Sequence, residues 1–209
     1  MQKNNIMKPQ NVNKMEIFPT SIVSYVWEDS QKLNKELKKI IFSKEKEKVG
    51  VEQSNVGGFH SEPTVFGWDY PAIKTLRTMI NSLASQMASV SGIGMGKIFN
   101  ISIAGWANII RNNNYHMPHN HPNNIWSGVY YIDDGSPDKN IKYNGAFEFC
   151  DPRPAAEMLS SDVLQGKRYQ ITPKPGLMIM FPSFVFHYVH PYIGDKERIN
   201  IAFNIKIVQ

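Results

Sequence analysis

The chain has 209 residues, is 42% hydrophobic and 20% charged, and carries a formal net charge of +5 with a single cysteine, Cys150. This is enough apolar material for one good core, which excludes a disordered chain, and one cysteine excludes an intramolecular disulfide and favours a reducing compartment. The amino terminus lacks the apolar core of a secretory signal and no run reaches membrane-spanning length, so a soluble cytoplasmic protein is expected.

Residues 1–15 are polar and read as a tail. Glu16–Val26 is apolar but broken by Pro19, which suits an edge strand. Asp29 and Ser30 offer a cap for a helix over Gln31–Lys44, where Leu33, Leu37, Ile40 and Ile41 recur at helical spacing. The lysines crowded between Lys32 and Lys48 read as the solvated face of that helix, so nucleic-acid binding is disfavoured. Gly50–Gly67 is rich in glycine and polar residues and reads as a loop, with His60 expected at the surface. Pro71 opens a second helix whose apolar face runs through Ile73, Leu76, Met79, Ile80, Leu83 and Met87 and which should end before Gly92 and Gly94. Both helices are expected to pack on one face of the strands downstream of them.

From Lys97 the pattern changes to short apolar runs punctuated by Gly, Pro, Asn and Asp, the signature of an antiparallel sandwich or barrel. Strands are expected at about 98–111, 125–133, 145–150, 168–172, 176–182 and 198–208. Asp134-Gly135, Asn144-Gly145 and Pro175-Gly176 mark tight turns. Pro152–Gly166 is a long connection, partly helical over AAEMLSSDVL. Cys150 lies in an apolar run and reads as a small core residue.

Five of the six histidines fall in two groups, His116/His119/His121 and His187/His190. In extended chain, residues i and i+2 project to one face, so His119 and His121 can present two neutral imidazoles to one metal ion, and His187 can join them from a later strand end. In the last strand, Ile199, Ile201, Phe203, Ile205 and Ile207 alternate with Arg198, Asn200, Ala202, Asn204 and Lys206. The first set should face a core; the second can line a pocket in which Arg198 pairs with a carboxylate. Asn108 shares a face with Ser102 and Trp106 in an earlier strand and can point into the same pocket.

HNHPNNIWSGVYYI, GAFEFCDPR, PGLMIMFPSFVFHYVHP and ERINIAFN, with the earlier EIFPT and GGFHSEP, together resemble the 2-oxoglutarate- and Fe(II)-dependent oxygenases of the prolyl-hydroxylase-like superfamily, in the branch found in marine bacteria and phages. The resemblance runs from about residue 16 to the end. It implies a mainly β (α+β) fold, a double-stranded β-helix or jelly roll: helical support over 16–96 and a jelly-roll core over 97–209, in one domain. It implies an oxidation coupled to decarboxylation of 2-oxoglutarate to succinate. It also implies Fe(II) on His119 and the distal His187, with the far carboxylate of 2-oxoglutarate on Arg198; Asn108 and Asn200, on the polar faces of their strands, are expected beside it. His121 stands where the superfamily usually has aspartate or glutamate. A His119/His121/His187 set is ranked first, and a carboxylate entering from Glu148 or Asp151, or a set using His116, is kept as the alternative.

Two other readings fit the sequence. One is a three-histidine, cupin-type dioxygenase that needs no 2-oxoglutarate; the other is a jelly-roll binding module whose histidines are incidental. A small-molecule or peptide substrate is expected; Trp106, Trp126, Tyr130 and Tyr131 can line its pocket, although aromatics in strands more often belong to the core. No membrane partner is expected, domains of this kind can pair as homodimers although nothing in the sequence demands it, and the setting is a host's cytoplasm if the chain is phage-encoded.

Overall fold

The computed structural model describes residues 18–92, 100–153 and 169–208. The expected tail, the start of the strand at 98, Gly94 and the helical stretch 155–164 lie outside them. Eleven strands are described: β1 (Val23–Val26), β2 (Asn55–Val56), β3 (Phe59–His60), β4 (Asn100–Ile110), β5 (Tyr115–His119), β6 (Trp126–Asp133), β7 (Phe147–Phe149), β8 (Tyr169–Ile171), β9 (Leu177–Pro182), β10 (His187–Val189) and β11 (Arg198–Val208). Two helices, α1 (Gln31–Glu47) and α2 (Pro71–Val90), precede the long strands, with a 3₁₀ turn at Val65–Gly67 between them.

The strands form two sheets, a larger one in the order β1-β9-β6-β11-β4-β3 and a smaller one in the order β2-β5-β10-β7-β8. Neighbouring strands in both sheets run antiparallel. The result is the double-stranded β-helix expected from the sequence, with α1 and α2 on one side.

Strand alternation builds two cores. Val129 and Tyr131 of β6 and Leu177, Ile179 and Phe181 of β9 pack between the sheets against Phe147, Phe149 and Val189 of the smaller sheet. The intervening residues, Tyr130, Ile132, Met178 and Met180, face the other way and meet α1 and α2 through Leu37, Ile41, Ile73, Leu76 and Ile80. Such strands are buried on both faces, which is why they read as continuous apolar runs. Burying each large side chain of the helix faces contributes about 1.5–3 kcal/mol, enough to hold both helices, including α1, whose lysine-rich outer side adds little.

The apolar face of β11 is buried from Ile199 to Ile205, but Ile207 at its end is 38% exposed. Ser30 occupies the N-cap of α1 yet makes no capping hydrogen bond with its side chain. Its Oγ instead accepts from Asn34 Nδ2 at 3.3 Å, and Asn34 Oδ1 accepts from the Tyr130 hydroxyl at 2.6 Å, tying helix to sheet.

The expectation of a plain loop over Gly50–Gly67 needs correction. The segment adds β2 to the edge of the smaller sheet on β5 and β3 to the edge of the larger sheet on β4. Gly57 and Gly58, both at φ +72°, carry the chain from one sheet to the other, and a Cβ on Gly58 would collide with the Ile109 carbonyl oxygen. Two-residue strands are set by backbone pairing at an edge, so they leave no alternation to read. β5 and β10 are likewise short, and they carry His116, His119 and His187.

Candidate functional site

His119 ends β5 and His187 opens β10, and the antiparallel ladder sets these two residues opposite each other. His121 follows in the turn after β5, its backbone N–H donating to the Ser183 carbonyl at 3.0 Å. The ring centroids lie 4.4 Å apart for His119 and His187, 5.0 Å for His119 and His121, and 5.1 Å for His121 and His187. One ring nitrogen from each falls within 4.8 Å of the others, close enough for the three to serve one metal ion.

Two of the rings are oriented by the backbone. His119 Nδ1 lies 2.7 Å from the Met117 carbonyl oxygen and His187 Nδ1 lies 2.9 Å from that of Val185. A carbonyl oxygen only accepts, so each Nδ1 carries the proton and each Nε2 keeps the lone pair that a metal needs. Ser54 Oγ approaches both His119 Nε2, at 3.4 Å, and His116 Nδ1, at 3.5 Å.

The same cavity is lined by Arg198, Tyr131, Asn108 and Asn200. Arg198 is 1% exposed; its Nη1 donates to the Gly145 carbonyl, and its Nε and Nη2 have no hydrogen-bond partner. Its Cζ sits 5.5 Å from the centre of the Tyr131 ring, and the buried Tyr131 hydroxyl is also unpartnered. Gly145 takes φ +60° in the turn expected at Asn144-Gly145, and a Cβ there would stand 2.8 Å from Arg198 Nη1. Asn108 Nδ2 donates to Asn200 Oδ1 at 2.8 Å, leaving Asn108 Oδ1 buried without a partner. Among the described residues no acidic side chain lines this cavity. A buried guanidinium with two empty donor groups beside an empty hydroxyl is costly alone and complementary to a carboxylate.

Burial dominates the electrostatics. It pushes His116 down to about 3 and His121 to about 4, each helped by the neighbouring His119, and holds His187 well below its ordinary value. Burial also raises the Tyr131 hydroxyl to about 12, against the pull of Arg198. The imidazoles are therefore neutral at pH 7, the state that binds metal. A histidine whose pKa is lower folded than unfolded binds fewer protons in the folded state, so its contribution to stability is present above about pH 6.5 and is lost as pH falls towards the folded value. Metal-free protein should therefore lose stability between pH 6.5 and 4, by up to about 1.4 kcal/mol per pH unit for each such group. Thermal unfolding across that range checks this, and His116→Gln should flatten the slope.

Other expected residues lie elsewhere. Asp151 is tied to Arg153 at 2.6 Å and is not among the cluster that could hold a metal. Glu148 is buried and accepts from the Tyr188 hydroxyl at 2.5 Å, from His190 Nε2 at 2.8 Å and from Gln170. Phe147 and Phe149, its neighbours in β7, belong to the core between the sheets, so Glu148 and His190 stand on the opposite face. Trp126 and Tyr130 pack on the helical side, leaving Trp106 and Tyr131 as the aromatics of that group at the cavity. His60, expected at the surface, is buried because β3 pairs with β4 opposite Asn108, and its ring stacks on Trp106. The pairing of Tyr131 with Arg198 is brought about by neighbouring strands β6 and β11, and no sequence spacing encodes it.

Residues 104–204, from β4 to β11, match a family model described as "Putative 2OG-Fe(II) oxygenase". No curated protein matches the chain in sequence. Solved structures do match in fold. A prolyl-4-hydroxylase from Pseudomonas putida aligns with TM-score 0.63 and 13% identity over 91% of this chain and 94% of its own. A viral collagen prolyl hydroxylase from Paramecium bursaria Chlorella virus-1, in complex with 2-oxoglutarate, aligns with TM-score 0.60 and 13% identity over 90% and 96%. A prolyl hydroxylase from Trichoplax adhaerens, in complex with a hypoxia-inducible-factor peptide, aligns with TM-score 0.62 and 13% identity over 90% and 83%.

Proposed function

We infer that the chain, a 2-oxoglutarate- and Fe(II)-dependent oxygenase by its family match and fold, holds iron on His119, His121 and His187 and takes the far carboxylate of 2-oxoglutarate on Arg198 and Tyr131. The observation that carries this assignment is the pair of unpartnered donor groups on a fully buried Arg198, in the cavity that also holds the three imidazoles. The donor set fits as well: three neutral nitrogen ligands suit Fe(II) and leave positions for a chelating 2-oxo acid. When bound, the iron and 2-oxoglutarate supply an oxidation in which 2-oxoglutarate is decarboxylated to succinate.

The chain's own residues bind, orient and exclude water. Arg198 offers two parallel N–H groups in a site from which water is removed, where a charge-assisted pair is strong. Tyr131 adds a hydroxyl that stays protonated at neutral pH and so can donate. Asn108 and Asn200 close one wall, and Phe147 and Phe181 pack against His187 to keep that side dry. With three histidines and no carboxylate the metal keeps more of its positive charge, which favours the dianionic cosubstrate.

The single cysteine supports a reducing, cytoplasmic setting, and no helix among the described residues is long and apolar enough to cross a membrane. The substrate is taken to be a small molecule or peptide.

Anaerobic titration with Fe(II) and then 2-oxoglutarate tests the assignment. A weak visible charge-transfer band is expected only when both are present, and it should be lost in Arg198→Ala. Iron binding without the band would favour a three-histidine enzyme that takes its substrate directly. Failure to bind metal would overturn the histidine assignment.

A further inference from the structure

Resting on that histidine assignment, we propose that Trp106, backed by His60, is a positioning residue that sets the orientation of the His121 ring. His119 and His187 are each pinned by an Nδ1–H bond to a carbonyl two residues earlier. No ring hydrogen bond holds His121 among the described residues, so packing must fix its rotamer. The ring it meets outside the histidine cluster is Trp106, with centroids 5.5 Å apart and planes at 52°.

Trp106 is in turn held from behind. His60 stacks on it nearly parallel, at 5.6 Å and 16°. His60 Nδ1 donates to the Ser61 carbonyl at 2.9 Å. Ser61 is bound to β4 at the residue next to Trp106: its N–H donates to the Ala107 carbonyl at 2.9 Å, and its Oγ accepts from the Ala107 N–H at 2.9 Å. The ladder His60–Trp106–His121 thus does by ring packing what backbone carbonyls do for the other two imidazoles. Metal-binding imidazoles normally owe their orientation to an outer hydrogen-bond partner, whose loss costs roughly 10–100-fold in metal affinity. Aromatic contacts of this geometry are favourable beyond the area they bury, so the ladder can serve the same purpose.

The test titrates the full chain with Co(II) alone, reading the dissociation constant and the visible d–d bands. Trp106→Ala should raise the dissociation constant about tenfold or more, and its bands should move to those of His121→Ala. Trp106→Phe, which keeps a ring against His121, should stay within about threefold of wild type. His60→Ala should weaken binding in wild type but not in Trp106→Ala, because it acts through Trp106. Val65→Ala, a core cavity on the helical side, supplies a control for lost stability, and its bands should not move. Should Trp106→Ala fail to fold, His60→Ala and Trp106→Phe carry the test. A folded Trp106→Ala that binds Co(II) within about twofold of wild type with unshifted bands would overturn the proposal alone, since a lost positioning partner costs more than that. A wild type that binds no Co(II) would overturn the histidine assignment and this inference with it.

Discussion

His187→Ala is expected to abolish metal binding while the protein stays folded. His187 is 4% exposed, stacks on Phe147 at 5.1 Å and 16°, and meets Phe181 edge-on at 4.8 Å. Its Nδ1 bond to Val185 leaves Nε2 presented in the metal-free protein. Removing a ligand that is already oriented costs the full metal–nitrogen bond, more than the roughly hundredfold seen when only an outer partner is lost. The fold should survive at a cost of about 1–3 kcal/mol, because alanine leaves a cavity between two rings but no unpaired polar group except the Val185 carbonyl. His121→Ala should cost less affinity than His187→Ala, since a ring held by packing alone is less firmly preorganised. Metal titration of both variants, with circular dichroism to establish folding, checks the pair. Normal affinity in folded His187→Ala would sink the histidine assignment.

The long strands are legible in the sequence because each has to satisfy two environments at once. β11 alternates Ile199, Ile201, Phe203 and Ile205 with Arg198 and Asn200, so the alternation reveals an apolar and a polar face, and the structure turns the polar one into the cavity. The helix faces of α1 and α2 are legible for the same reason, since period 3.6 is visible from Leu33 to Ile41 and, over a longer span, from Ile73 to Met87. The features that stay hidden depend on which segments meet. β2 and β3 are two residues each, and their edge pairing is recorded in backbone groups that every residue shares. His60 is buried for that reason alone. Glu148 is a plausible ligand by sequence, but β7 turns alternate residues to opposite faces, and the phenylalanines on either side claim the interior. Tyr131 reads in the sequence as one of four aromatics that core or pocket could claim, and only the β6–β11 pairing singles it out as the neighbour of Arg198.

Arg198→Met should have two opposite effects, and their combination is the sharper result. In the protein without cosubstrate, Arg198 is a fully buried cation whose Nε and Nη2 bond to nothing, and burial lowers its pKa. Its compensation is one hydrogen bond to Gly145, the face of Tyr131 and the electrostatic pull of the nearby Tyr131 hydroxyl. A buried charge without its partner destabilises, and an apolar side chain of similar length removes that penalty. Metal-free Arg198→Met should therefore be more stable than wild type, on the order of 1–3 kcal/mol. Affinity for 2-oxoglutarate should fall by about 2–5 kcal/mol, some 30-fold to several thousand-fold, because a desolvated carboxylate loses its bidentate partner. Metal affinity should change little, since the guanidinium is not a ligand. Wild type should gain melting temperature when 2-oxoglutarate is added with metal, and Arg198→Met should gain none. Thermal unfolding with and without cosubstrate measures both effects in one series. A variant that is less stable yet binds 2-oxoglutarate normally would mean that Arg198 is a structural prop for the Gly145 turn. A variant that is more stable and blind to 2-oxoglutarate would mean that this strand end tolerates a costly, empty cation because the cosubstrate's carboxylate is what it was built to meet.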